Sequence, residues 1–454
     1  MKISRREFIG SAVAAAAVGT ADKAKAEGAV VRWYKGNLHM HSYWSDGKTF
    51  PEMALDWYRS RGYNFCGLSD HNVFQNDNAK WKLCSGCNAA VLAEYRVNWN
   101  AETRGSGSSE EVRLKTFDEF SAALNVPGEF LVLPNVEDTR FVKYSNGTSN
   151  EMHMNFVNVP GLPPEMTNGF SATVNNCQSS LADFLRENRV MVANYAQTLN
   201  RPHLFMLNHP IWRWYEISPE VIIANPEVRF FEQCNNGSDH DAPAPGLLDD
   251  GLDTDRLWDV VNAFRARAGQ PLLYGLGNDD THYYAEADIS GKKMLMPGNA
   301  WTIVRATELT AAALITALEA GDSVVCEGVQ PEDVVFDRAT GRLEVSVAGK
   351  PGVARTIRFI VSKRDFNATP EEEFDVGSGE YLRHIKIYDR KRVGVVAKMV
   401  QGRPGEALRA SYTLKPDDLY VRARIESPGM PLCTAPLHPL MHMAWTQPYQ
   451  ASEA

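Results

Sequence analysis

Residues that can bind metal ions follow short apolar segments along the first two thirds of this 454-residue chain. Neutral imidazoles and ionised carboxylates at neighbouring strand ends can hold several divalent cations together. The nine candidate ligands are His39, His41, Asp46, His71, Glu137, His153, His209, Asp280 and His282. In α/β barrels, functional side chains gather at the carboxyl ends of the strands. The pattern therefore predicts an α/β barrel or parallel-sheet domain with a multinuclear metal site.

Short apolar runs alternate with helical patterns through the same part of the chain. The predicted strands are 31–41, 65–69, 130–134, 153–159, 204–208, 229–233, 272–277 and 301–304. The predicted helices are 51–61, 181–188, 254–268 and 310–320. A long insertion, 74–128, is a candidate cover for the site. Beyond residue 330, alternating segments predict a small antiparallel β-sandwich domain over 331–454, with strands at 343–347, 356–362, 408–414 and 419–425.

The N-terminal residues are typical of a twin-arginine export signal. Arg5 and Arg6 precede the apolar stretch 9–18, and small residues at 24 and 26 form a cleavage site. The stretch is about half of the ~20 residues that a membrane-spanning helix needs. An amphipathic N-terminal helix of the folded domain is the alternative. We expect a signal peptide over 1–26, the twin-arginine translocation machinery as a partner, no stable membrane insertion, and a periplasmic or secreted protein built from 27–330 and 331–454.

The acidic overall charge argues against nucleic acid as the main partner. The chain has a formal net charge of -9, and its first 26 residues contain more basic than acidic side chains, so the remainder is more acidic still. Binding to a duplex normally requires Lys and Arg to neutralise phosphates. A small molecule is therefore the expected substrate.

The first ligand motif is the segment 37–47, which contains His39, His41 and Asp46. Positions i and i+2 of a strand project to one face, so His39 and His41 can bind one cation together. A His-x-His pair alone also occurs by chance on protein surfaces. A second strand end, Ser69-Asp70-His71, supplies another imidazole and favours the metal interpretation.

The remaining motifs complete an ordered series. Glu137 follows an apolar run, His153 opens a predicted strand, and His209 precedes a proline. The last motif, 277–282, contains Asp280 and His282. In this order, the motifs resemble the polymerase and histidinol phosphatase (PHP) family over about residues 36–285. The resemblance implies a distorted (β/α)7 barrel and a metal-dependent hydrolase.

The resemblance also implies how the ligands are shared among metal ions. One metal would be held by His39, His41, Glu137 and Asp280, and Glu137 would join His153 and His209 on a second. A third would be held by Asp46, His71 and His282. Asp279 is the alternative ligand, but the Asp-x-His spacing to His282 favours Asp280. We expect two or three divalent cations, and the donor types fit zinc, manganese or iron equally.

Several other residues are candidates for supporting or catalytic roles. Asp70 or Asn208 can orient ligand imidazoles, although Asp70 is equally readable as a turn or capping residue. Arg140 and Arg213 can pair with an anionic substrate oxygen, the alternative being ordinary surface arginines. His203 and His240 can contact substrate or protonate a leaving group, the alternative being solvated loop histidines. Glu232 and Asn235 match a family strand-end pattern and are expected to brace the rim.

A second resemblance narrows the branch of the family. The segments 257–259, 275–282 and 444–448 look like exported PHP proteins grouped with carbaryl (carbamate) hydrolases. The leading hypothesis is a phosphoesterase in which a metal-bridging hydroxide attacks a small phosphate mono- or diester. One alternative is a carbamate, ester or amide hydrolase with the same metal centre. Another is a noncatalytic metal-containing protein that docks to the envelope or to glycan.

Overall fold

A computed structural model of the chain describes residues 31–166, 172–235, 253–284, 296–429 and 441–451. For Arg213 and Trp214 it describes the backbone only. The predicted signal peptide, 1–26, lies outside the described residues, as does His240. Within the described ranges, no helix is both long enough and apolar enough to cross a bilayer.

The helices begin where the sequence provides starting signals. Pro51 opens the first helix, where a missing backbone N–H costs nothing. Thr116 and Glu119 form a reciprocal capping box, and Asp253 accepts a hydrogen bond from the backbone of its helix. The helices are α1 (Pro51–Arg59), α2 (Ala89–Asn98), α3 (Phe117–Leu124), α4 (Leu181–Thr198), α5 (Trp212–Tyr215), α6 (Pro219–Ile223), α7 (Thr254–Arg267) and α8 (Ala311–Glu319).

Strands occur along most of the described chain and extend past residue 330. They are β1 (Arg32–Asn37), β2 (Phe65–Cys66), β3 (Trp81–Leu83), β4 (Thr103–Arg104), β5 (Glu111–Arg113), β6 (Leu131–Val132), β7 (Glu137–Tyr144), β8 (Ser149–Val157), β9 (Ala172–Cys177), β10 (Leu204–Leu207), β11 (Phe230–Asn235), β12 (Tyr274–Asn278), β13 (Ala300–Ala306), β14 (Ser323–Glu327), β15 (Asp333–Asp337), β16 (Arg342–Val347), β17 (Thr356–Lys363), β18 (Glu372–Val376), β19 (Arg383–Ile387), β20 (Val395–Gln401), β21 (Leu408–Thr413), β22 (Asp418–Pro428) and β23 (Met441–Thr446).

Two large mixed sheets confirm the predicted α/β class. One has nine strands in the order β20-β17-β22-β23-β14-β13-β1-β2-β6, and the other has six in the order β12-β11-β10-β8-β7-β9. Strands β1, β2 and β6 run parallel, as do β10, β11 and β12. The parallel groups therefore place several carboxyl ends on common edges, which is where ligands bind in such sheets.

Two isolated bridges connect the sheets just beyond these edges. Met40, after β1, pairs with Thr281, after β12. His71, after β2, pairs with Glu137 at the start of β7. The bridges bring segments of distant sequence together where four of the candidate ligand motifs lie. The closed seven-stranded barrel stays a prediction.

The C-terminal region shares the nine-stranded sheet with the N-terminal region. Strand β23 lies between β14 and β22, so the sheet contains strands from both sides of residue 330. A separate three-stranded sheet, β15-β16-β21, packs its apolar side chains against those of β17 and β22. Such burial removes apolar surface from water and stabilises the layered arrangement. The predicted β-sandwich and the boundary near residue 330 stay predictions.

The insertion 74–128 is folded and packs beside the first ligand motif. It contains α2, α3 and a three-stranded sheet in the order β3-β5-β4. Its buried residues Tyr95 and Val112 join Trp44 and Phe50 in one apolar cluster. The ring of Tyr95 stacks on Phe50 at a centroid distance of 3.6 Å. The insertion therefore supports the loop that carries Asp46.

Candidate metal centre

Backbone and side-chain hydrogen bonds fix the His39–His41 segment beyond the end of β1. The amide of Leu38 donates to Oδ1 of Asn278, and the amide of His39 donates to Oδ1 of Asn37. The amide of His41 donates to the carbonyl of Thr281. Both imidazoles are fully buried, with ring centroids 5.3 Å apart. The extended segment therefore brings two imidazoles to one place, as the i, i+2 spacing predicts.

Candidate ligand atoms converge into overlapping groups at this end of the molecule. Within each group, one atom from every residue lies within 4.8 Å of the others. The groups are His41, Asp46, His71 and His282; His39, His41 and Asp280; and His71, Glu137 and His153. Because His41 and His71 each belong to two groups, the groups form one continuous cluster.

Glu137 lies at the centre of this cluster and is completely buried. Its Oε2 lies 3.0 Å from Nε2 of His39 and 3.2 Å from Nδ1 of His71. Its Oε1 lies 2.9 Å from Nδ1 of His153 and 3.8 Å from Nε2 of His209. The two oxygens of one carboxylate thus face two different sets of imidazoles, which is the arrangement of a bridging ligand.

The last motif contributes Asp280, while Asp279 has a different role. Oδ1 of Asp280 lies 3.0 Å from Nε2 of His41 and 3.2 Å from Nε2 of His39. Asp279 accepts hydrogen bonds from the amides of Gly298, Asn299 and Ala300 and from the hydroxyl of Tyr58. Asp280 has φ of 50°, a left-handed conformation that costs a non-glycine residue free energy. This turn directs adjacent aspartates to different partners.

The exposed side of the cluster is formed by Asp46 and His282. Oδ2 of Asp46 lies 3.3 Å from Nε2 of His282 and 3.8 Å from Nε2 of His71. The side chain of Asp46 is 40 % exposed, whereas that of Glu137 is buried. The cluster is therefore open to solvent at Asp46. Nδ1 of His41, 3.7 Å from Asp46, is buried and makes no hydrogen bond within the described part of the chain.

The structure groups two histidines differently from the resemblance. His71, expected only beside Asp46 and His282, also lies beside Glu137 and His153. His209, expected with Glu137 and His153, is near Glu137 but belongs to none of the close groups among described residues. His209 has φ of 22°, and its ring centroid is 4.7 Å from that of His153. All nine predicted ligands nevertheless lie in or beside one cluster.

Two of the ligands do not lie at the carboxyl end of the strand that contains them. Glu137 is the first residue of β7, and His153, expected to open a strand, lies inside β8. Strands β7 and β8 form an antiparallel pair in which Glu137 faces Asn155 and Thr139 faces His153. Neighbouring positions across such a pair lie close together, so the hairpin brings the two side chains to the same place.

Electrostatics in the cluster favour positive charge. Burial acts to lower the pKa of His41, but hydrogen bonds to Asp280 and Glu137 outweigh it and raise the pKa to about 10. Burial is likewise outweighed at His153, where Glu137 and Glu151 raise the pKa to about 10. Burial dominates at His71 and lowers its pKa to about 3. The carboxylates therefore attract cationic charge into a buried volume.

Further hydrogen bonds orient the imidazoles. Nδ1 of His39 lies 2.8 Å from Oε1 of Glu232, which leaves Nε2 directed at Glu137 and Asp280. Nδ1 of His71 lies 2.6 Å from the hydroxyl of Thr139. Partners of this kind fix the ring orientation of metal-binding histidines. Glu232 was expected to brace the rim, whereas Thr139 was not identified from the sequence.

Glu151 is another residue that the sequence analysis missed. Its Oε1 lies 2.9 Å from Nε2 of His153, opposite the contact with Glu137. Glu151 lies two positions before His153 in β8, so both side chains are on one face of the strand. That i, i+2 spacing is the signal that could have identified it.

The supporting candidates have varied positions. Asp70 accepts hydrogen bonds from Ser42, Ser45 and Gln75, so its described partners fix the loop after His41. Asn208 donates to Oε1 of Glu137 at 2.8 Å. Asn235 donates to Glu232 at 2.7 Å.

The two arginines and two loop histidines proposed for the cleft have different outcomes. Arg140 is buried and pairs with Asp138, so its interpretation as a surface arginine is wrong. His203 precedes β10 whereas His209 follows it, so the strand separates His203 from the cluster. The side chain of Arg213 and all of His240 lie outside the described residues.

The donor set suits divalent cations such as zinc, manganese or iron. Imidazole nitrogens and carboxylate oxygens are ligands for all three, and no described cysteine belongs to the groups. A cation bound among these groups would give the unsatisfied Nδ1 of His41 a partner and would be shared by the converging carboxylate oxygens and imidazole nitrogens. The residues present therefore fit a multinuclear site.

Comparisons with known proteins give only distant similarity. No protein-family model matches the chain, and no curated protein matches it. A two-domain protein of Bacteroides vulgatus, described as containing a predicted PHP-like metal-dependent phosphoesterase, is 13 % identical with a TM-score of 0.36, covering 91 % of this chain and 95 % of that one.

Two further solved structures are similar to part of the chain. A candidate metal-dependent phosphoesterase of Bifidobacterium adolescentis is 11 % identical with a TM-score of 0.27, covering 54 % of this chain and 87 % of that one. An amidohydrolase of Chromobacterium violaceum with bound sulfate is 15 % identical with a TM-score of 0.29, covering 55 % and 88 %. Similarity at this level assigns no function to the chain. The carbaryl hydrolase branch stays a prediction.

Proposed function

We propose that this protein is a metal-dependent hydrolase whose centre holds two or three divalent cations. The observation that carries the proposal is the continuous cluster of overlapping ligand groups around Glu137. Structural metal sites are usually saturated by protein ligands, whereas catalytic sites keep a position open. The exposed side of the cluster, at Asp46 and His282, provides that position.

When bound, the cations would lower the pKa of water and so supply a hydrolytic nucleophile at neutral pH. The carboxylate of Glu137 holds two sets of imidazoles together and fixes the spacing of the sites. Glu232 holds the ring of His39 in the orientation that leaves its Nε2 available, and Thr139 positions the ring of His71 through Nδ1, the atom that also faces Glu137. Burial of Glu137 excludes bulk water from the inner side, which strengthens electrostatic interactions there.

A small phosphate mono- or diester is the proposed substrate class. Asp46, Glu137 and Asp280 are the carboxylates among the candidate ligands, so three divalent cations with one bound hydroxide would leave this set of groups positively charged. A positive centre attracts a phosphate ester, which carries about one or two negative charges near pH 7. Arg140 lies three residues after Glu137 and pairs with Asp138. Recognition of the substrate's negative charge is therefore assigned to the metal centre.

We also propose that the enzyme acts in the periplasm or outside the cell. The support is the N-terminal sequence alone, in which Arg5 and Arg6 precede an apolar stretch and a small-residue cleavage site. Export of an already folded protein by the twin-arginine machinery suits an enzyme that takes up its cations in the cytoplasm. A fusion of residues 1–30 to a folded reporter tests this, and a reporter retained in the cytoplasm would contradict it.

The substrate class is tested with purified protein loaded in turn with manganese, iron or zinc. Each preparation receives p-nitrophenyl phosphate, bis-p-nitrophenyl phosphate and a naphthyl carbamate, and metal content is measured by mass spectrometry. We expect turnover of a phosphate ester and more than one ion per chain. Carbamate cleavage without either phosphate activity would reverse the substrate assignment. Inertness toward all three would favour a noncatalytic protein.

His39→Ala provides a direct test of the ligand role. Removing this imidazole opens the centre beside Glu137 and Asp280, so activity and bound metal should both fall while the fold is retained. His203→Ala is the matched control because His203 precedes β10, away from the cluster. Unchanged turnover and metal content in His39→Ala would refute the assignment.

A further inference from the structure

A cavity of about 250 Å³ lies beside β13 and β14, outside the candidate metal centre. Its lining includes Lys35, Asn299, Trp301, Glu327 and His442. None of these residues belongs to the ligand groups around Glu137. The cavity is smaller than the roughly 300–1,000 Å³ clefts that hold drug-sized ligands, so it suits a smaller molecule.

Lys35 supplies a cation that has no charged partner within the described residues. Its Nζ lies over the ring of Tyr63 at 3.9 Å from the centroid and over that of Trp301 at 4.1 Å. Cation–π contacts hold an ammonium group in place but satisfy none of its three N–H donors as a hydrogen bond to oxygen would. Burial lowers the pKa of Lys35, opposed by the charge of Asp279. The ammonium group is therefore positioned and under-solvated.

Glu327 supplies the complementary charge at the end of β14. It makes no ion pair with Lys35 within 4.0 Å, and no hydrogen bond to its carboxyl group occurs among the described residues. Burial raises the pKa of Glu327 to about 7, with no other group contributing. A carboxyl group and an ammonium group thus line one cavity without neutralising each other, although each lacks full solvation.

Two uncharged polar atoms of the lining residues also lack partners. Nε1 of Trp301 and Oδ1 of Asn299 are buried and make no hydrogen bond to any described residue. Trp301 is 8 % exposed and Asn299 is 5 % exposed. Both atoms are closed to solvent, so they lie behind the cavity wall, and Lys35 and Glu327 are left as the charged groups that a bound molecule can contact.

The walls of this cavity are fixed in the protein. Backbone amides of Gly298, Asn299 and Ala300 all donate to Asp279 at 2.8 Å. The ring of His442 fits between two glycines, because a Cβ atom on Gly328 would lie 1.7 Å from Nδ1 and one on Gly429 would lie 2.3 Å from Cδ2. Glycine is required at Gly328 for a second reason, its φ of 71°. A preformed wall reduces the entropy lost on binding.

We propose that this cavity binds a small zwitterion of the α-amino acid type. The ligand's carboxylate is placed at the Lys35 ammonium group, and its ammonium group is placed at the Glu327 carboxylate. The one cation and one anion that line the cavity match the two opposite charges of an amino acid's head group.

Calorimetric titration of the full chain with three matched ligands tests the proposal without any mutation. L-alanine carries both charged groups, propionate lacks the ammonium group, and ethylamine lacks the carboxylate. We expect L-alanine to bind, and each single-charge analogue to bind at least about tenfold more weakly, because a missing group leaves a half-buried charged partner unpaired. Equal binding of propionate and L-alanine, or no heat with any of the three, would overturn the proposal.

Two substitutions locate the site. Glu327→Gln removes the charge that faces the ligand's ammonium group, and Lys35→Met keeps apolar packing on the two rings while removing the cation. Each should weaken L-alanine binding at least about tenfold. Glu129→Gln, on the exposed surface, is the matched control and should bind as the unmodified protein does. Because the readout is binding, its failure is distinguishable from failure of the hydrolase proposal.

Discussion

Two buried clusters of carboxylates in this molecule are neutralised in opposite ways. Between α7 and β22, Asp259 accepts two hydrogen bonds from the guanidinium of Arg422 at 2.8 and 2.6 Å. Arg422 also pairs with Asp255 at 3.1 Å. Around Glu137, the described ion-pair partners are imidazoles. One cluster contains its own permanent cations, whereas the other offers nitrogens that are neutral when a metal binds.

The difference distinguishes a structural charge cluster from a functional one. An arginine cannot release its proton in a protein, so the Asp259 cluster is complete when the chain folds. Imidazole can be cation, proton donor or metal ligand according to its surroundings. The carboxylates around Glu137 therefore attract positive charge that the chain supplies only in part. Metal removal should disturb the Glu137 cluster and leave the Asp259 cluster unchanged.

The largest expected effect is that of Glu137→Gln on activity. The amide cannot join two sets of imidazoles as a carboxylate does, so we expect turnover to fall at least about 10³-fold, more than the 10–100-fold typical of residues that only orient a ligand. Metal content should fall by at least one ion per chain, measured by mass spectrometry. A smaller loss of metal would argue against bridging.

Arg422→Met should have the largest effect on stability. It leaves Asp259 and Asp255 buried beside an apolar side chain, and we expect a loss of about 3–5 kcal/mol in the free energy of unfolding. Denaturant titration of metal-free protein measures it. Arg424→Met is the control at a more exposed arginine and should cost less. Equal stability of Arg422→Met and the unmodified protein would show that the cluster is dispensable.

Glu232→Gln should have a moderate effect on the metal centre. Its carboxylate accepts from Nδ1 of His39 at 2.8 Å and from the amide of His209 at 3.1 Å. Replacing it weakens the orientation of both residues, and we expect metal affinity or activity to fall about 10–100-fold. Competition with a chelator measures affinity. An unchanged affinity together with unchanged turnover would remove Glu232 from the centre.

His384→Ala should have the smallest effect and sets the lower limit of the comparison. His384 lies between Asp375 and Glu373 at 2.9 Å from each, but on the exposed hairpin of β18 and β19. These hydrogen bonds raise its pKa, yet solvent screens the interaction. We expect no measurable change in the denaturation midpoint or in metal content. A large change in either would show that the exposure of a charge cluster does not indicate how much it contributes to stability or metal binding.

About half of the described elements follow directly from the sequence. Each predicted strand and helix overlaps an observed one, because apolar periodicity and helix starting signals are local properties. Eleven of the 23 described strands and four of the eight described helices were not predicted, and β7 is one of them. Asn146 and Gly147 lie within the connection 145–148 between β7 and β8, and Gly147 has φ of 87°. An Asn-Gly pair is a strong hairpin signal that would have revealed this strand.

The residues of the candidate site could be predicted from the sequence, whereas their detailed arrangement in space could not. The choice of Asp280 over Asp279 was suggested by spacing, but the reason lies in amides of Gly298 to Ala300, which are distant in sequence. The double grouping of His71 depends on the bridge between His71 and Glu137. Contacts of this kind form only when two sheets meet, so no local pattern encodes them.

The pairing of β1 with β13 has a consequence for how the protein is made. Trp33 lies opposite Arg305, and the cage that contains His39 and His41 also needs Asp280 and His282. A growing chain cannot assemble that cage until synthesis has passed residue 282, whatever ions surround the ribosome. Such distant pairing also slows folding. Metal therefore binds late, and the ions available in the compartment where the completed polypeptide first folds determine which metal the protein acquires.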